Sequence, residues 1–358
     1  MVTSTSIAEI TAQIHEWAKE LQLDLCGITP AIQPPGYHPL LEWMTNGYCA
    51  DMDWMQRRKD AYAHPDGVLP DTRSVIAIGL NYHNGNETND GCRISRYAWG
   101  QEDYHSLLKK KLKQLSRKLR ELLPHAITRP VVDTAPLLER DFAQLAGLGW
   151  RGKNTMLINP SIGSWFFLGA ILTTANLQYD QPFQADHCGT CTRCLDACPT
   201  DAFPEPGTLN AERCISYLTI ERRSKTISEE LMPKIQDWIF GCDICQDVCP
   251  WNRFAPTNSV EAFHRRPEVS ELDLPELLNL TEATFKALFR KTPLERTGRD
   301  IIVRNAAIAA ANTMRIDCLP ILEMLRTDDS PIVQHAVGWS IQTLTRTSSS
   351  DKASLKLK

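Results

Sequence analysis

Eight of the twelve cysteines in this 358-residue chain fall between Cys188 and Cys249. Such density in a chain with no visible export signal points to metal or redox chemistry rather than structural disulfides. The first run is Cys188-x2-Cys191-x2-Cys194-x3-Cys198-Pro199. Two-residue spacings let a loop wrap three thiolates around one face of an iron–sulfur cube, and the fourth cysteine, before proline, serves a second cube. The second run, Cys242-x2-Cys245-x3-Cys249-Pro250, lacks a leading cysteine, and Cys214 between the runs replaces it. The count closes as two [4Fe–4S] sets: Cys188, Cys191, Cys194 and Cys249 for cluster 1, and Cys198, Cys214, Cys242 and Cys245 for cluster 2. Two four-thiolate zinc sites are the alternative. A third cysteine two residues on and a trailing Cys-Pro used twice favour iron. Two clusters in one small module make an electron wire, against the plainer reading of structural clusters.

Other motifs carry less. Gly147-x-Gly149-x-x-Gly152 fits the dinucleotide fingerprint by letter, but it follows a helical stretch and no acid stands about twenty residues on. These glycines read instead as a turn that brings backbone close to something bulky. Asp103-Tyr104-His105 begins like the Asp-x-His-x-x-Gly motif that ligates cobalamin through histidine; Leu108 occupies the glycine position, so a helix start capped by Asp103 is preferred. Lys109, Lys110, Lys111, Lys113, Arg117, Lys118 and Arg120 put seven bases on one helix, either a solvated face or a stripe that tracks phosphates. Cys26, Cys49, Cys92 and Cys318 are scattered singly and read as small apolar residues.

The elements that position these groups follow from periodicity. Ile7 to Leu21 is an amphipathic helix, with Ile7, Ile10, Ile14, Trp17, Ala18 and Leu21 on one face. Ser74 to Leu80, Ala126 to Val132 and Trp165 to Leu172 read as buried strands. Tyr104 to Leu123 is a long helix, its leucines spaced by three or four. The fold class is α/β. Residues 1–180 form an α/β domain, 181–256 a ferredoxin-like module held together by metal, 257–346 a helical HEAT-like segment and 347–358 a flexible tail. Hydrophobic residues make up 42% and charged residues 23%, which excludes a disordered or coiled-coil chain. The longest apolar run, Trp165 to Leu172, has eight residues against the ~20 of a membrane span. A cytoplasmic address is expected, with no membrane partner and a monomer as the default. Net charge is −4, so nucleic-acid binding would need a local basic patch.

Six stretches resemble the epoxyqueuosine reductase family: Tyr97 to Gly100 (YAWG), Asp103 to His105 (DYH), Val131 to Arg140 (VVDTAPLLER), Gly147 to Asn154 (GLGWRGKN), Gly163 to Gly169 (GSWFFLG) and Cys214 to Thr219 (CISYLT). They join the double ferredoxin run, and the likeness covers nearly the whole chain. Arg151 departs from the family pattern, where isoleucine or another residue is expected. The resemblance implies an enzyme related to reductive dehalogenases that removes the epoxide oxygen of epoxyqueuosine at the tRNA wobble position. It implies base-off cobalamin without a histidine ligand, held against the ferredoxin-like module. Asp133 is the implied proton donor, and such a role requires its carboxyl to stay protonated, with a pKa raised by burial. The plain alternative is that Asp133 and Thr134 cap the helix running from Pro136.

The same resemblance makes Arg57, Tyr97, Asp133, Lys153, Asn154, Leu157, Ser164, Cys242 and Asp243 candidate cobalamin contacts. Partners would be the anticodon stem-loop of a tRNA with a queuosine-type base, and a low-potential electron donor such as ferredoxin or flavodoxin. The basic helix and Arg299, Arg304 and Arg315 of the tail are candidate phosphate contacts. Two other readings compete: a dehalogenase-like corrinoid enzyme acting on a small molecule, and an electron-transfer iron–sulfur protein. The roughly 180 residues before the cysteines are too many for a simple carrier.

Overall fold

The computed structural model describes residues 6–85, 91–258 and 260–355. Helix α1 (Ile7–Glu20) starts at a capping box, in which Ser6 Oγ accepts the Glu9 N–H and Glu9 accepts the Ser6 N–H. After it come β1 (Leu25–Pro30), α2 (Tyr37–Thr45), α3 (Asp53–Arg57), β2 (Ser74–Asn81) and β3 (Arg93–Ile94). Then follow α4 (Tyr104–Leu122), β4 (Thr128–Val131), α5 (Glu139–Leu145), β5 (Trp150–Arg151), β6 (Leu157–Ile158) and β7 (Phe166–Thr173). Strands and helices expected from periodicity lie within a few residues of these bounds.

The main sheet has the order β1-β2-β7-β4, with every pairing antiparallel. All eight residues of β2 are buried, because helices cover both faces. Ile76, Ile78 and Leu80 pack with Ile10 and Ile14 of α1 and Leu108, Leu112 and Leu115 of α4. The alternate residues face α5: Val75 shares a cluster with Phe142, and Ala77 with Ala143. This is the period-two division of a strand between two apolar layers. Gly169 lets α4 press close, since a Cβ there would stand 2.9 Å from Leu112 Cδ1.

The cysteine module contains α6 (Arg193–Asp196), α7 (Ile215–Ile220), β8 (Trp238–Phe240) and α8 (Ile244–Asp247). Its β8 pairs in parallel with β3, so residues from both sides of the expected boundary at 180 share one ladder. Beyond it lie α9 (Pro267–Ser270), α10 (Leu274–Leu278), α11 (Glu282–Phe289), α12 (Arg299–Asn312), α13 (Leu319–Met324) and α14 (Pro331–Leu355). One apolar core joins Ile94 and Trp99, Leu218 and Phe240, and Ile302, Ala306 and Val337. The three regions are therefore packed through shared side chains. The last helix continues to Leu355, well into the stretch expected as a flexible tail; residues 356–358 lie outside the described residues.

Helix α12 is buried from Ile301 to Ala311. Arg304, 1% exposed, donates to the Leu218 carbonyl at 2.5 Å, to the Arg222 carbonyl at 2.6 Å and to Asn305. Asn305 donates to the carbonyls of Thr219 and Ile239. Arg304 is thus spent on docking α12 to the end of α7 and is not available to a phosphate, which corrects the expectation from sequence. Burial pushes its pKa down to about 9. Arg304→Ala leaves buried carbonyls without donors and is expected to lower unfolding stability by about 3 kcal/mol. Denaturant unfolding of the reduced, metal-loaded chain measures it, and a loss below about 1 kcal/mol would contradict the docking role.

Candidate redox and proton-transfer site

The thiols act on one another within two groups, Cys188, Cys191, Cys194 and Cys249, and Cys198, Cys214, Cys242 and Cys245, with one link between Cys194 and Cys245. Burial raises the Cys249 thiol, and the sulfurs of Cys188 and Cys191 add to the effect. Cys194 is raised by burial and by Cys249 and Cys188. In the second set, burial raises Cys214, with Cys198 as its sulfur neighbour, and raises Cys242, with Cys245 and Cys214. Cys245 is raised by burial and then by Cys214, Cys194 and Cys198, so it lies where the two sets meet. Among the described residues no three His, Cys, Asp or Glu side chains form a site for a single metal ion. The donor chemistry, four thiols per set, brought from two loops in the first set and three in the second, fits the cube assignment. The scattered cysteines behave as apolar residues: burial pushes Cys26 and Cys92 up to about 12 and Cys318 up to about 11.

Side chains from the α/β half reach across to hold the cysteine loops. Lys153 Nζ donates to the carbonyls of Gly189 at 2.6 Å and Cys191 at 3.0 Å. Asn154 Nδ2 donates to the Cys245 carbonyl at 3.2 Å. Ser164 Oγ donates to Gln246 Oε1 at 2.9 Å, and the Ser164 N–H to Asn252 Oδ1 at 2.7 Å. Leu157, 3% exposed, is core. Asp243, 1% exposed, accepts from Ser95 Oγ, from the Arg96 N–H at 2.8 Å and from Arg96 Nη1 at 3.1 Å. The glycine-rich turn closes on the protein itself: a Cβ on Gly149 would stand 2.1 Å from the Ile158 carbonyl oxygen. The bulky neighbour expected there is the chain's own β6.

Asp133 lies in the loop between β4 and α5, with backbone φ of +58°. Helix α5 begins only at Glu139 and its N-cap is Leu138, so Asp133 does not cap it. The Asp133 N–H donates to Glu139 Oε1 at 3.0 Å. Its Oδ2 lies 3.1 Å from His105 Nε2, and its side chain is 63% exposed. On the other side of the ring, His105 Nδ1 lies 2.8 Å from Asp103 Oδ1. Asp103 also caps α4 by accepting the His105 N–H at 3.0 Å. Arg296, from the C-terminal half, places Nη1 3.0 Å from His105 Nε2 and pairs with Asp103 through Nη2.

The hydrogen bond from His105 holds the Asp133 carboxyl below its ordinary value despite partial burial. This reverses the expectation that burial would raise it. The group that burial does raise is Glu139, pushed up to about 8, with the Asp133 charge adding to it. Burial works against a charged His105 ring, but the carboxylates of Asp103 and Asp133 outweigh it and the pKa rises. Sequence reasoning set His105 aside as part of a helix start, and it missed Arg296 and Glu139. The signal for His105 was the Asp-x-His fragment itself; Arg296, 191 residues away, left none.

Tyr97 stands between this group and the cysteines. Its ring touches Tyr104, Phe167 and Phe240. Burial raises its hydroxyl well above the ordinary value, and both Asp133 and Asp243 contribute. Asp133 and the second cysteine set therefore border a common region. Arg57 ends α3 in an exposed position, and its neighbour Arg58 donates to the Thr134 carbonyl at 3.1 Å.

Of the seven bases on α4, Lys111 turns back to the Leu21 carbonyl and Lys118 pairs with Glu20. Lys109, Lys110, Lys113, Arg117 and Arg120 remain exposed. The tail arginines are otherwise engaged: Arg299 with Asp300 and Asp328, Arg315 with Asp273 and Asp317.

Residues 63–134 match the sequence family described as epoxyqueuosine reductase QueG, DUF1730, and residues 187–252 match the 4Fe-4S double cluster binding domain. An epoxyqueuosine reductase of Xanthomonas campestris pv. campestris is 39% identical over 93% of this chain and 96% of its own length. That of Vibrio cholerae is 37% identical over 98% of this chain and 96% of its own. The chain belongs to the epoxyqueuosine reductase family. A crystal structure of epoxyqueuosine reductase with an epoxyqueuosine-modified tRNA-Tyr stem loop superposes with a TM-score of 0.85, at 32% identity, over 95% of this chain and 91% of that one. The enzyme from Bacillus subtilis, solved with its catalytic aspartate loop swung out of the active site, gives 0.84 at 30% identity over the same shares.

For this epoxyqueuosine reductase family member the two cysteine sets can be separated. Cys214→Ser removes a thiolate from the second set alone. Iron is expected to fall from about eight to about four atoms per chain, while Cys318→Ser leaves it unchanged. Metal analysis of anaerobically purified protein checks this, and full iron in Cys214→Ser would break the assignment.

Proposed function

We propose that this chain reduces epoxyqueuosine to queuosine at the tRNA wobble position, using cobalamin recharged through two [4Fe–4S] clusters. The observation that carries the reading is the placement of Asp133 and its hydrogen-bonded partners beside Tyr97, which also feels Asp243 next to the second cysteine set. The likeness to a relative crystallised with an epoxyqueuosine-modified stem loop supports the same substrate. Residues 1–180 act as the cobalamin-binding catalytic domain, 181–256 as the double-cluster module, and 257–346 as a HEAT-like helical segment.

Opening the epoxide and expelling its oxygen as water consumes two electrons and two protons and leaves a carbon–carbon double bond. When bound, base-off cobalamin supplies low-potential electrons that side chains cannot. The residues present fit such a group: Tyr97 and Asp133 border the region facing the second set, Arg57 lies next to Arg58, which bonds the Thr134 carbonyl beside Asp133, and Cys242 and Asp243 bring that set alongside. Lys153, Asn154 and Ser164 shape its wall through the bonds they make to the cysteine loops, and Leu157 packs in the core behind them. Asp133 delivers a proton to the epoxide oxygen. Its left-handed backbone, held by the bond to Glu139, lies in a loop rather than a helix, in keeping with a relative whose catalytic aspartate loop swings out.

The modified base leaves its stack to enter the site, as base-modifying enzymes require. The exposed bases of α4 contact the phosphates of the anticodon stem-loop. A low-potential ferredoxin or flavodoxin delivers electrons to the clusters, and the enzyme works as a cytoplasmic monomer.

Anaerobic protein reconstituted with iron, sulfide and cobalamin should convert epoxyqueuosine-tRNA to queuosine-tRNA; zinc in place of iron, or refusal of cobalamin, would overturn the reading. Asp133→Asn should lose turnover by about a hundredfold or more with cofactor loading unchanged. Charge reversal at Lys110 and Lys113 should weaken stem-loop binding on the order of tenfold and flatten its salt dependence. Binding isotherms at several salt concentrations decide whether α4 belongs to the interface.

A further inference from the structure

Asp133 alone cannot account for the proton balance. The proposed reaction breaks both carbon–oxygen bonds of the epoxide, forms one carbon–carbon double bond and releases water, so two protons must arrive with the two electrons. A carboxyl carries one. It must then be reprotonated inside the site while its surroundings favour the carboxylate.

We propose that His105 is the relay that reprotonates Asp133, and that Arg296 stabilises the relay once its proton has gone. The assignment rests on hydrogen-bonding capacity. Asp103 Oδ1, 2.8 Å from Nδ1, can only accept when ionised, so Nδ1 carries a hydrogen in both states of the ring. Nε2 has two neighbours with opposite demands. Asp133 Oδ2 at 3.1 Å calls for an N–H on Nε2, whereas Arg296 Nη1 at 3.0 Å can only donate and calls for a lone pair. The two arrangements cannot be satisfied together, and each corresponds to one protonation state. As imidazolium, His105 donates to both carboxylates. After passing its Nε2 proton to Asp133, the neutral ring accepts from Arg296. Arg296 stays anchored throughout by its pairing with Asp103. Both states of the relay are thus hydrogen-bonded, so little reorganisation accompanies transfer.

The first proton passes from Asp133 to the epoxide oxygen, and His105 returns Asp133 to the acid form. The second proton then leaves Asp133 for the departing hydroxyl. Bulk water, reached at the exposed Asp133 edge, recharges the imidazole. The charged and titratable groups facing His105 are Asp103 and Tyr104 on its own segment, Asp133 and Glu139 from the β4–α5 region, and Arg296; Arg140 acts through Glu139 and Asp133. His105 is raised above 6.5, so the protonated relay is present at lower pH and is lost as pH climbs through that raised value.

This inference rests on Asp133 as the donor, and the test separates the two. In wild type, kcat with saturating stem-loop should fall on an alkaline limb centred above 6.5. His105→Asn should lose about a hundredfold in kcat and abolish that limb, with iron and cobalamin content unchanged. Arg296→Met removes a cation beside the ring and should move the limb to higher pH. Histidine NMR on wild type and Arg296→Met, with His105 assigned by its loss in His105→Asn, should show the same upward shift without turnover. If Asp133→Asn is inactive while His105→Asn keeps the wild-type rate and profile, the relay is wrong and the donor stands. If Asp133→Asn is fully active, the donor reading itself fails. An NMR value for His105 at or below 6.5 overturns the relay whatever the rates.

Discussion

The architecture depends on a buried ion pair, that of Arg96 with Asp243. Asp243 directly follows Cys242 and is 1% exposed; burial pushes its carboxyl up, and Ser95, the Arg96 N–H and the Arg96 guanidinium, which all donate to it, work against that. The guanidinium is itself sandwiched near Trp99 and Trp165, with centroids 5.5 and 4.8 Å away, and its second bond goes to Asp247 at 2.6 Å. Removing one partner of such a pair costs about 3–5 kcal/mol, because the other is left charged in the interior. The pair fixes the loop that leads into α4 against the loop that carries Cys242 and Cys245. The parallel pairing of β3 with β8 adds a second tie between the α/β layer and the cysteine loops.

The candidate site residues lie along that seam. Ser95 and Arg96 sit on the metal side, Tyr97 follows at once, and Asp103 and His105 open the next helix. A single short segment therefore touches the redox module and the proton chemistry. The C-terminal helices add more than bulk. Their packing through Arg304 and Asn305 onto α7 holds the region that carries Arg296, and Arg296 reaches back to Asp103 and His105. Tyr97 lies between Tyr104, next to His105, on one side and Phe240 of the cysteine module on the other.

The main sheet explains why the site can be built on loops. Its central strands are buried on both faces, so α4 and β4 are held rigidly and present their ends together. Asp103 at the start of α4 and Asp133 after β4 are brought to either side of one imidazole. The left-handed backbone of Asp133 is a sparsely populated state for a residue with a Cβ, and the bond from its N–H to Glu139 holds it there.

The double-cluster domain was legible in the sequence, and the cysteine partition is assigned from it, because ligand spacing is a local property: two intervening residues set how a loop can wrap a cube. The α/β helices and strands were legible for the same reason, since periods of two and 3.6 are written within each element. Three features were not. The pKa of Asp133 depends on an imidazole 28 residues earlier, and that bond reversed the direction expected from burial. Arg304 looked like a surface base, yet tertiary packing buried it among carbonyls. Arg296 became part of the site only because helices at the far end of the chain fold back. Sequence alone determined which residues could bind metal and which segments could form layers. The tertiary structure alone decided which charges meet, because electrostatic partners are chosen by distance in space and by the low polarity around them, neither of which a linear pattern carries.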